Sequence, residues 1–236
     1  MTIKQNLEIV QNKIRMAAIR SGRREDEIKL VVVTKAQPAN RINEAIEAGI
    51  SILGENYPEE SLKKFPDIDF LGKNIEWHMI GHLQSRKIPI ICEYFHYMHS
   101  IDSLKIAKKL NDALGQTGKT LNCLLEVNIS GETSKFGFPA WNEAMIDNLV
   151  NDINELCQMN NLRIQGLMTL PPFSNEAENS RMYFRRLSQL NKYLQKTHSQ
   201  VVWSELSMGT SMDFEIAIEE GATFLRVGQA IFGPRD

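Results

Sequence analysis

The stretch LSMGTSMDFEIAIEEGATFLRVGQAIFG, residues 206–233, decides the fold predicted for this chain. It contains, in order, the end of a strand, a glycine-containing turn, an amphipathic helix, a second short strand and a second glycine-containing turn. Strands that alternate with helices in this way predict a parallel sheet whose faces are covered by helices.

The same alternation runs through all 236 residues. Eight strands are predicted, at residues 28–34, 51–53, 76–80, 97–99, 121–129, 163–168, 201–206 and 223–227. Helical spacing predicts helices at residues 42–48, 103–114, 142–159, 178–196 and 212–219. Eight such units without a break favour an α/β fold with a single (β/α)8 TIM-type barrel, one domain spanning 1–236, over an open doubly wound sheet. A barrel of this kind takes about 250 residues.

The composition excludes several classes of protein. A net charge of −2 leaves no basic excess for binding nucleic acid or an anionic membrane. No run approaches the roughly 20 apolar residues that cross a bilayer, and the N-terminus lacks the apolar core of a signal peptide. Cys92, Cys123 and Cys157 suit neither a disulfide framework nor a zinc site, and His78 and His82 lack the glutamate of an HExxH motif. We therefore expect a cytoplasmic protein without a metal.

Polar side chains are concentrated where the predicted strands end. Since the carboxyl ends of parallel barrel strands share one face, which is the face that carries active sites, these side chains are expected around one mouth. The polar residues are Lys35, Glu55, Asn56, His82, Asn128, Ser130, Thr169, Ser207 and Arg226, and they are accompanied by Gly81, Gly209 and Gly228.

Lys35 follows the buried-type run VVVT at the end of the first predicted strand. Partial desolvation there would favour the neutral amine that attacks an aldehyde. The alternative is a surface lysine that begins a loop, as is usual before a turn containing proline such as Pro38. Position alone leaves both interpretations open.

Two glycine-containing turns follow the last two predicted strands. Gly209 and Gly228 permit a close backbone approach, and helix starts offer free N–H groups to an anion, so a phosphate site is predicted here. Ordinary helix capping by Thr210 or Ser211 is the alternative. Arg226 interrupts an otherwise apolar strand and needs a partner, either a ligand or a carboxylate such as that of Glu55.

Taken together, the segments VVVTKAQP, LGENY, WHMIGHLQSRK, EVNISGETSKFG, GLMTLPP and 206–233 resemble the pyridoxal phosphate homeostasis protein family. Its fold is that of the barrel domain of alanine racemase, pyridoxal phosphate fold type III. The resemblance covers nearly the whole chain. It implies that the cofactor is pyridoxal 5′-phosphate, held as a Schiff base on Lys35.

The resemblance also implies roles for the other residues around the mouth. Arg226 is expected to face the pyridine nitrogen, and Asn56 to contact the side of the ring, with His82 and Met168 as neighbours. The residues expected around the phosphate are Ser207, Gly209, Ser211 and Gly228.

The family role implied is a carrier that buffers pyridoxal phosphate without catalysis and contacts pyridoxal-phosphate-dependent apo-enzymes transiently, as a monomer or weak dimer. The first alternative is an amino-acid racemase, which needs an acid/base group on each face of its substrate. Racemases bring one of these groups from a C-terminal β domain, which we expect to be absent because the chain ends at Asp236. A class I aldolase, the second alternative, predicts its lysine on a late strand.

Overall fold

The computed structural model describes residues 1–234; Arg235 and Asp236, the end of the predicted domain, lie outside the described residues. Parallel strands dominate its centre. Largely buried segments form them, as expected for parallel strands that are covered on both faces. The strands are β1 Lys29–Val33, β2 Ile52–Glu55, β3 Glu76–Met79, β4 Tyr97–Ile101, β5 Leu121–Asn128, β6 Phe138–Pro139, β7 Leu162–Met168, β8 Glu205–Thr210 and β9 Phe224–Val227.

Eight of these strands close into a barrel, which confirms the predicted TIM-type fold. The hydrogen-bonded order is β4-β3-β2-β1-β9-β8-β7-β5, and a further pairing of β4 with β5 completes the ring. All of these pairs are parallel. The two-residue strand β6 pairs with the end of β5 and lies outside the ring.

One predicted strand boundary is wrong. Residues 201–204 form a bend and a coil, and the strand runs instead over Glu205–Thr210. The run VVW has the residue types of a strand, but the side chain of Val202 is 71% exposed. Gly209, predicted in a turn, lies within β8 at φ +91, beside a shift in the pairing register with β9. Glycine accepts this φ, so the strand continues through it.

Helices cover the outside of the barrel. α3 and α4, each of seven residues with a proline in the first turn, were missed because proline is typical of turns as well as of helix starts. The helices are α1 Ile3–Arg20, α2 Ala39–Glu47, α3 Pro58–Lys64, α4 Ile88–Tyr94, α5 Leu104–Thr117, α6 Glu143–Leu156, α7 Arg181–Thr197, α8 Phe214–Glu219 and α9 Gln229–Phe232. Within residues 1–234, no helix is both long and apolar enough to span a bilayer.

The N-terminal helix α1 begins with a capping box. The Thr2 side chain accepts a hydrogen bond from the Gln5 amide, and the Gln5 side chain accepts one from the Thr2 amide. One face of α1 packs on the closing units of the barrel. Asn6 donates to the carbonyl oxygen of Ile231 at 2.8 Å, and Arg20 forms ion pairs with glutamates of α8. This helix therefore ties the start of the chain to its end.

The inside of the barrel is unusual because it combines apolar and polar side chains. A small apolar cluster fills part of it, made of Val31, Ile80, Tyr97, Leu124, Met168 and Phe224. Beside this cluster lie four polar residues that are at most 4% exposed: His78, His99, Ser207 and Arg226. Buried polar groups need hydrogen-bond partners, so this arrangement requires an internal network.

Candidate functional site

A pocket of about 480 Å³ opens at the mouth where the barrel strands end. Four residues predicted for the site line it: Asn56, Ser211, Arg226 and Gly228. Val33 at the end of β1 and Ile80 after β3 also line it, and the segment 170–174 after β7 forms another part of the wall. The mouth of the barrel thus brings together much of the predicted set.

Lys35 lies in the turn that follows β1. The amide of Gln37 donates to the carbonyl oxygen of Thr34 at 3.0 Å and closes this turn around Lys35. Ala36 completes it in the left-handed region, at φ +58. This conformation costs a non-glycine residue about 1–2 kcal/mol, so the turn stores strain next to the lysine.

The amine of Lys35 has different surroundings from the amines of two nearby lysines. Lys64 and Lys135 donate to backbone carbonyl oxygens. The Nζ atom of Lys35 instead lies 5.0 Å from the ring centroid of Tyr57, the residue after Asn56. A contact with a ring face is weak at an exposed site, so the amine is available to a ligand.

Arg226 is held by two hydrogen bonds inside the barrel. Its Nη1 donates to Ser207 Oγ at 2.5 Å, and its Nη2 donates to the carbonyl oxygen of Thr169 at 3.0 Å. Burial lowers the pKa of this guanidinium to about 10. A guanidinium has five N–H donors, and these two bonds leave others for the pocket.

The ion pair between Arg226 and Glu55, considered from the sequence, is not formed. Glu55 at the end of β2 accepts from Lys64 at 2.9 Å and from the Thr34 hydroxyl at 2.6 Å. Burial raises the pKa of the Glu55 carboxyl, and the nearby Lys64 opposes that rise. The positive charge that faces the pocket is therefore not neutralised by this carboxylate.

The turns after β8 and β9 meet at Ser211. The Ser211 hydroxyl oxygen accepts from the amide of Gly228 at 3.3 Å and from that of Ala230 at 3.2 Å. Asp213 fixes the first turn by accepting from the Thr210 amide at 2.7 Å. The two turns thus direct backbone N–H groups and a hydroxyl to one side of the pocket.

Five residues predicted for the site are not among those that line this pocket: Lys35, in the turn after β1, and four others. Gly209 packs against α8, where a Cβ would lie 2.6 Å from Ala217 Cβ. Met168 is fully buried in the apolar cluster of the barrel, and Ser207 lies beneath Arg226. His82 lies farther out, stacked on the ring of Phe136 at 3.8 Å and bonded to Asp102 at 2.7 Å.

The structure adds one lysine to the site that the sequence alone did not identify and places a buried glutamate beside it, in an adjoining cavity. Lys135 reaches the pocket from the loop after β5 and donates to the carbonyl oxygens of Leu170 and Pro171. Glu126, on β5, is 7% exposed. Its burial, reinforced by the nearby Asp102, raises the pKa of its carboxyl to about 7. A glutamate inside an apolar strand is a signal that would have marked this position.

Within residues 1–234, no group of three or more histidine, cysteine, aspartate or glutamate side chains is arranged to hold a metal ion. His78 and His82, four residues apart, face different surroundings: His78 is buried in the barrel and His82 lies at the mouth.

The barrel and its mouth place the chain in the class of alanine racemase N-terminal domains. The sequence of residues 3–236 matches this family. The chain is 40% identical over 235 residues to the pyridoxal phosphate homeostasis protein of Escherichia coli (strain K12), covering 99% of this chain and 97% of that protein. It is 38% identical over 242 residues to the protein of the same name from Vibrio alginolyticus, covering 100% and 98%.

Among solved structures, PipY of Synechococcus elongatus with pyridoxal phosphate bound is 31% identical, with a TM-score of 0.80, and the match covers 94% of this chain and 99% of that one. The chain therefore belongs to the pyridoxal phosphate homeostasis protein family.

Proposed function

We propose that this chain binds pyridoxal 5′-phosphate as a Schiff base on Lys35 and holds it for other proteins, without turning over a substrate of its own. The observation that carries the proposal is a pair of cations that follow from two neighbouring parallel strands, β1 and β9. Arg226 is buried in the pocket wall with free donors, and the amine of Lys35, just after β1, has no carbonyl or carboxylate partner among residues 1–234. The names of the relatives and the pyridoxal phosphate bound to PipY support it.

The residues present fit this cofactor. The pocket, at about 480 Å³, has the size of a small-molecule site. The Ser211 hydroxyl would supply a neutral donor for the phosphate, and the amides of Gly228 and Ala230, which donate to its oxygen, orient it. Arg226 would offer its remaining N–H groups to the pyridine nitrogen, and Asn56, which also lines the pocket, would contact the side of the ring. When bound, the cofactor supplies an aldehyde that condenses with a primary amine and passes to another amine by exchange.

Arg226 also supports the proposal that the chain catalyses no reaction of its own. A cation next to the pyridine nitrogen discourages protonation of that nitrogen, which weakens the ring as an electron sink. The chain's own groups then bind and shield a reactive aldehyde instead of drawing electrons from a substrate. An arginine at this place does not by itself exclude an amino-acid racemase, so turnover has to be measured directly.

The first experiment locates the modified lysine. The purified protein is incubated with pyridoxal phosphate, reduced with borohydride, digested and analysed by mass spectrometry. The label is expected on Lys35, absent in Lys35→Ala and retained in the control Lys196→Ala, an exposed lysine in the last turn of α7. A label on Lys87 or Lys135 in place of Lys35 would show that the site is misassigned.

The second experiment separates a carrier from an enzyme. The loaded protein is incubated with a panel of L- and D-amino acids, and racemisation and transamination are followed by chiral chromatography. A carrier gives no turnover above that of free pyridoxal phosphate, whereas turnover would favour the racemase. Reactivation of a pyridoxal-phosphate-dependent apo-enzyme by the loaded protein tests transient delivery, and size-exclusion chromatography tests whether the carrier is a monomer or a weak dimer. We propose the cytoplasm as its location, in keeping with three unpaired cysteines.

A further inference from the structure

A chain of hydrogen bonds runs inside the barrel from the pocket to the opposite end, where the strands begin. It starts at Arg226, whose Nη1 donates to Ser207 Oγ at 2.5 Å. Ser207 Oγ lies 2.7 Å from His99 Nδ1, and His99 Nε2 lies 2.9 Å from His78 Nδ1. The chain ends where His78 Nε2 lies 3.3 Å from a carboxylate oxygen of Glu76.

The two ends of this chain differ in exposure. Glu76 is the first residue of β3, and its side chain is 48% exposed at the amino end of the barrel. The three members between the ends are fully buried, on β3, β4 and β8. Solvent at one end of the barrel is thus linked to the guanidinium at the other through side chains alone.

Charge at the two ends selects the direction of the donors. A guanidinium only donates and an ionised carboxylate only accepts. With Glu76 ionised, His78 donates from Nε2 to it, which leaves His78 Nδ1 as an acceptor. His99 then donates from Nε2 to His78 and accepts at Nδ1 the hydroxyl proton of Ser207. Both imidazoles are therefore neutral Nε2–H tautomers.

The opposite direction is disfavoured at both ends. It would turn the lone pair of His78 Nε2 towards the Glu76 carboxylate. It would also make Ser207 Oγ accept from both Arg226 and His99, so that the buried hydroxyl proton needs another acceptor. Doubly protonated rings are disfavoured as well, since burial lowers the pKa of His78 and places that of His99 well below its ordinary value.

We propose that Glu76 orients Arg226 through this chain, so that Glu76, His78 and His99 are positioning residues for the guanidinium. A hydroxyl that gives its proton away is a better acceptor, because hydrogen bonds in a chain polarise one another. Ser207 Oγ and the Thr169 carbonyl then hold two corners of the guanidinium, and its remaining N–H groups point to the pocket. The tautomers belong to the protein alone, whereas the role of Arg226 beside a pyridine nitrogen rests on the proposed function.

The direction of the chain is tested first in cofactor-free protein labelled with ¹⁵N-histidine. Long-range ¹H–¹⁵N correlation spectra at pH 7, assigned through single His→Gln variants, report the tautomer of each ring. His78 and His99 are expected as Nε2–H forms. Glu76→Leu removes the terminal acceptor and should populate the Nδ1–H form, whereas Glu47→Leu removes an equal charge from the exposed face of α2 and should change neither ring. Nδ1–H rings in the unsubstituted protein, or unchanged tautomers in Glu76→Leu, would overturn the proposal.

The effect on the pocket is tested next, by the dissociation constant for pyridoxal phosphate. Coupling through a network of this kind is worth about 0.5–2 kcal/mol, so Glu76→Leu should weaken binding by roughly 2- to 30-fold, with the label still on Lys35. Glu47→Leu should bind as tightly as the unsubstituted protein. Equal affinity in Glu76→Leu would overturn the positioning role, while failure of all three proteins to bind would refute the proposed function and leave the tautomer result standing.

Discussion

Lys64 donates a hydrogen bond of 2.9 Å to the backbone carbonyl oxygen of Thr34, the residue that precedes Lys35. The same amine forms an ion pair of 2.9 Å with Glu55, whose carboxylate also accepts from the Thr34 hydroxyl at 2.6 Å. Helix α3, missed from the sequence, thus supplies the cation that holds the start of the lysine turn. Among residues 1–234, the other carboxylate oxygen of Glu55 is buried without a hydrogen-bond partner, so Lys64 and the Thr34 hydroxyl are the groups that stabilise this carboxylate.

Lys64→Met is expected to destabilise the protein by about 3 kcal/mol, because it leaves the Glu55 carboxylate buried without its cation. The double variant Lys64→Met/Glu55→Gln should recover a large part of this loss, since both charges are then removed. The free energies of unfolding come from urea titrations of the two single variants and the double variant at pH 7. Losses in the single variants that simply add in the double variant would show that the two groups are not coupled.

Ala36→Gly is expected to stabilise the protein by about 0.5–1 kcal/mol. The substitution removes the cost of holding an alanine at φ +58, and this gain exceeds the extra chain entropy of glycine in the unfolded state. The measurement is the urea midpoint of cofactor-free protein. A loss of stability would mean that the turn around Lys35 is not strained.

Gly118 provides the reverse substitution in the same backbone region. It ends α5 at φ +64, and a Cβ there meets no atom within 4 Å. Gly118→Ala should therefore cost about 1 kcal/mol through backbone strain alone. The change in stability at Gly118, where no packing is involved, gives the cost of backbone strain alone. The gain at Ala36 is compared with that cost.

The sequence predicted those parts of the molecule that depend on local patterns. The runs VVVT and LRVG have the composition of buried strands, so Lys35 and Arg226 were placed at the ends of strands that the structure brings to one mouth. The predicted strand boundaries were wrong where a tertiary contact overrides a local pattern. Gly209 is such a case, because glycine in the sequence predicts a turn, whereas here it lies inside a strand at φ +91.

The contacts across the barrel could not be predicted from the sequence. The pairing of Arg226 with Ser207 rather than with Glu55 depends on which strands are neighbours around the closed ring. His99 was not singled out, although a histidine in a strand whose residues are all buried is a signal of an internal hydrogen bond. Local patterns identify such a residue but do not identify its partner.

Glu126 is expected to make the stability of the protein fall as the pH rises. Burial and Asp102 raise the pKa of its carboxyl to about 7, against the opposing charges of Arg226 and Lys135. A folded-state pKa above the unfolded value means that the folded state binds more protons between about pH 4.5 and pH 7. The stability contributed by the protonated carboxyl is present below this range and is lost as the pH rises through it, by up to about 3 kcal/mol.

Glu126→Gln removes this titration while keeping the shape of the side chain. Urea midpoints of cofactor-free protein at pH 5 and pH 8 are compared between the variant and the unsubstituted protein. The variant should gain stability relative to the unsubstituted protein on going from pH 5 to pH 8. Equal changes in both proteins would show that Glu126 does not titrate in this range.

Gly209 and Gly228, predicted alike as phosphate contacts, are expected to respond differently to alanine. At Gly209 a Cβ would lie 2.6 Å from Ala217 Cβ and 2.9 Å from Phe214 Cα, in the left-handed region, so α8 would be pushed off β8. Gly209→Ala should therefore cost about 2–4 kcal/mol of stability.

At Gly228 the backbone has a negative φ, and a Cβ would meet Val33 at 3.1–3.2 Å, on the wall of the pocket. Gly228→Ala should therefore cost less than about 2 kcal/mol of stability but weaken pyridoxal phosphate binding by roughly 10-fold, because the added methyl group crowds the turn whose amide orients the Ser211 hydroxyl. Urea midpoints and dissociation constants for both variants separate the two roles. A Gly228→Ala protein that binds as tightly as the unsubstituted one would remove this turn from the phosphate site, whatever the stability of Gly209→Ala.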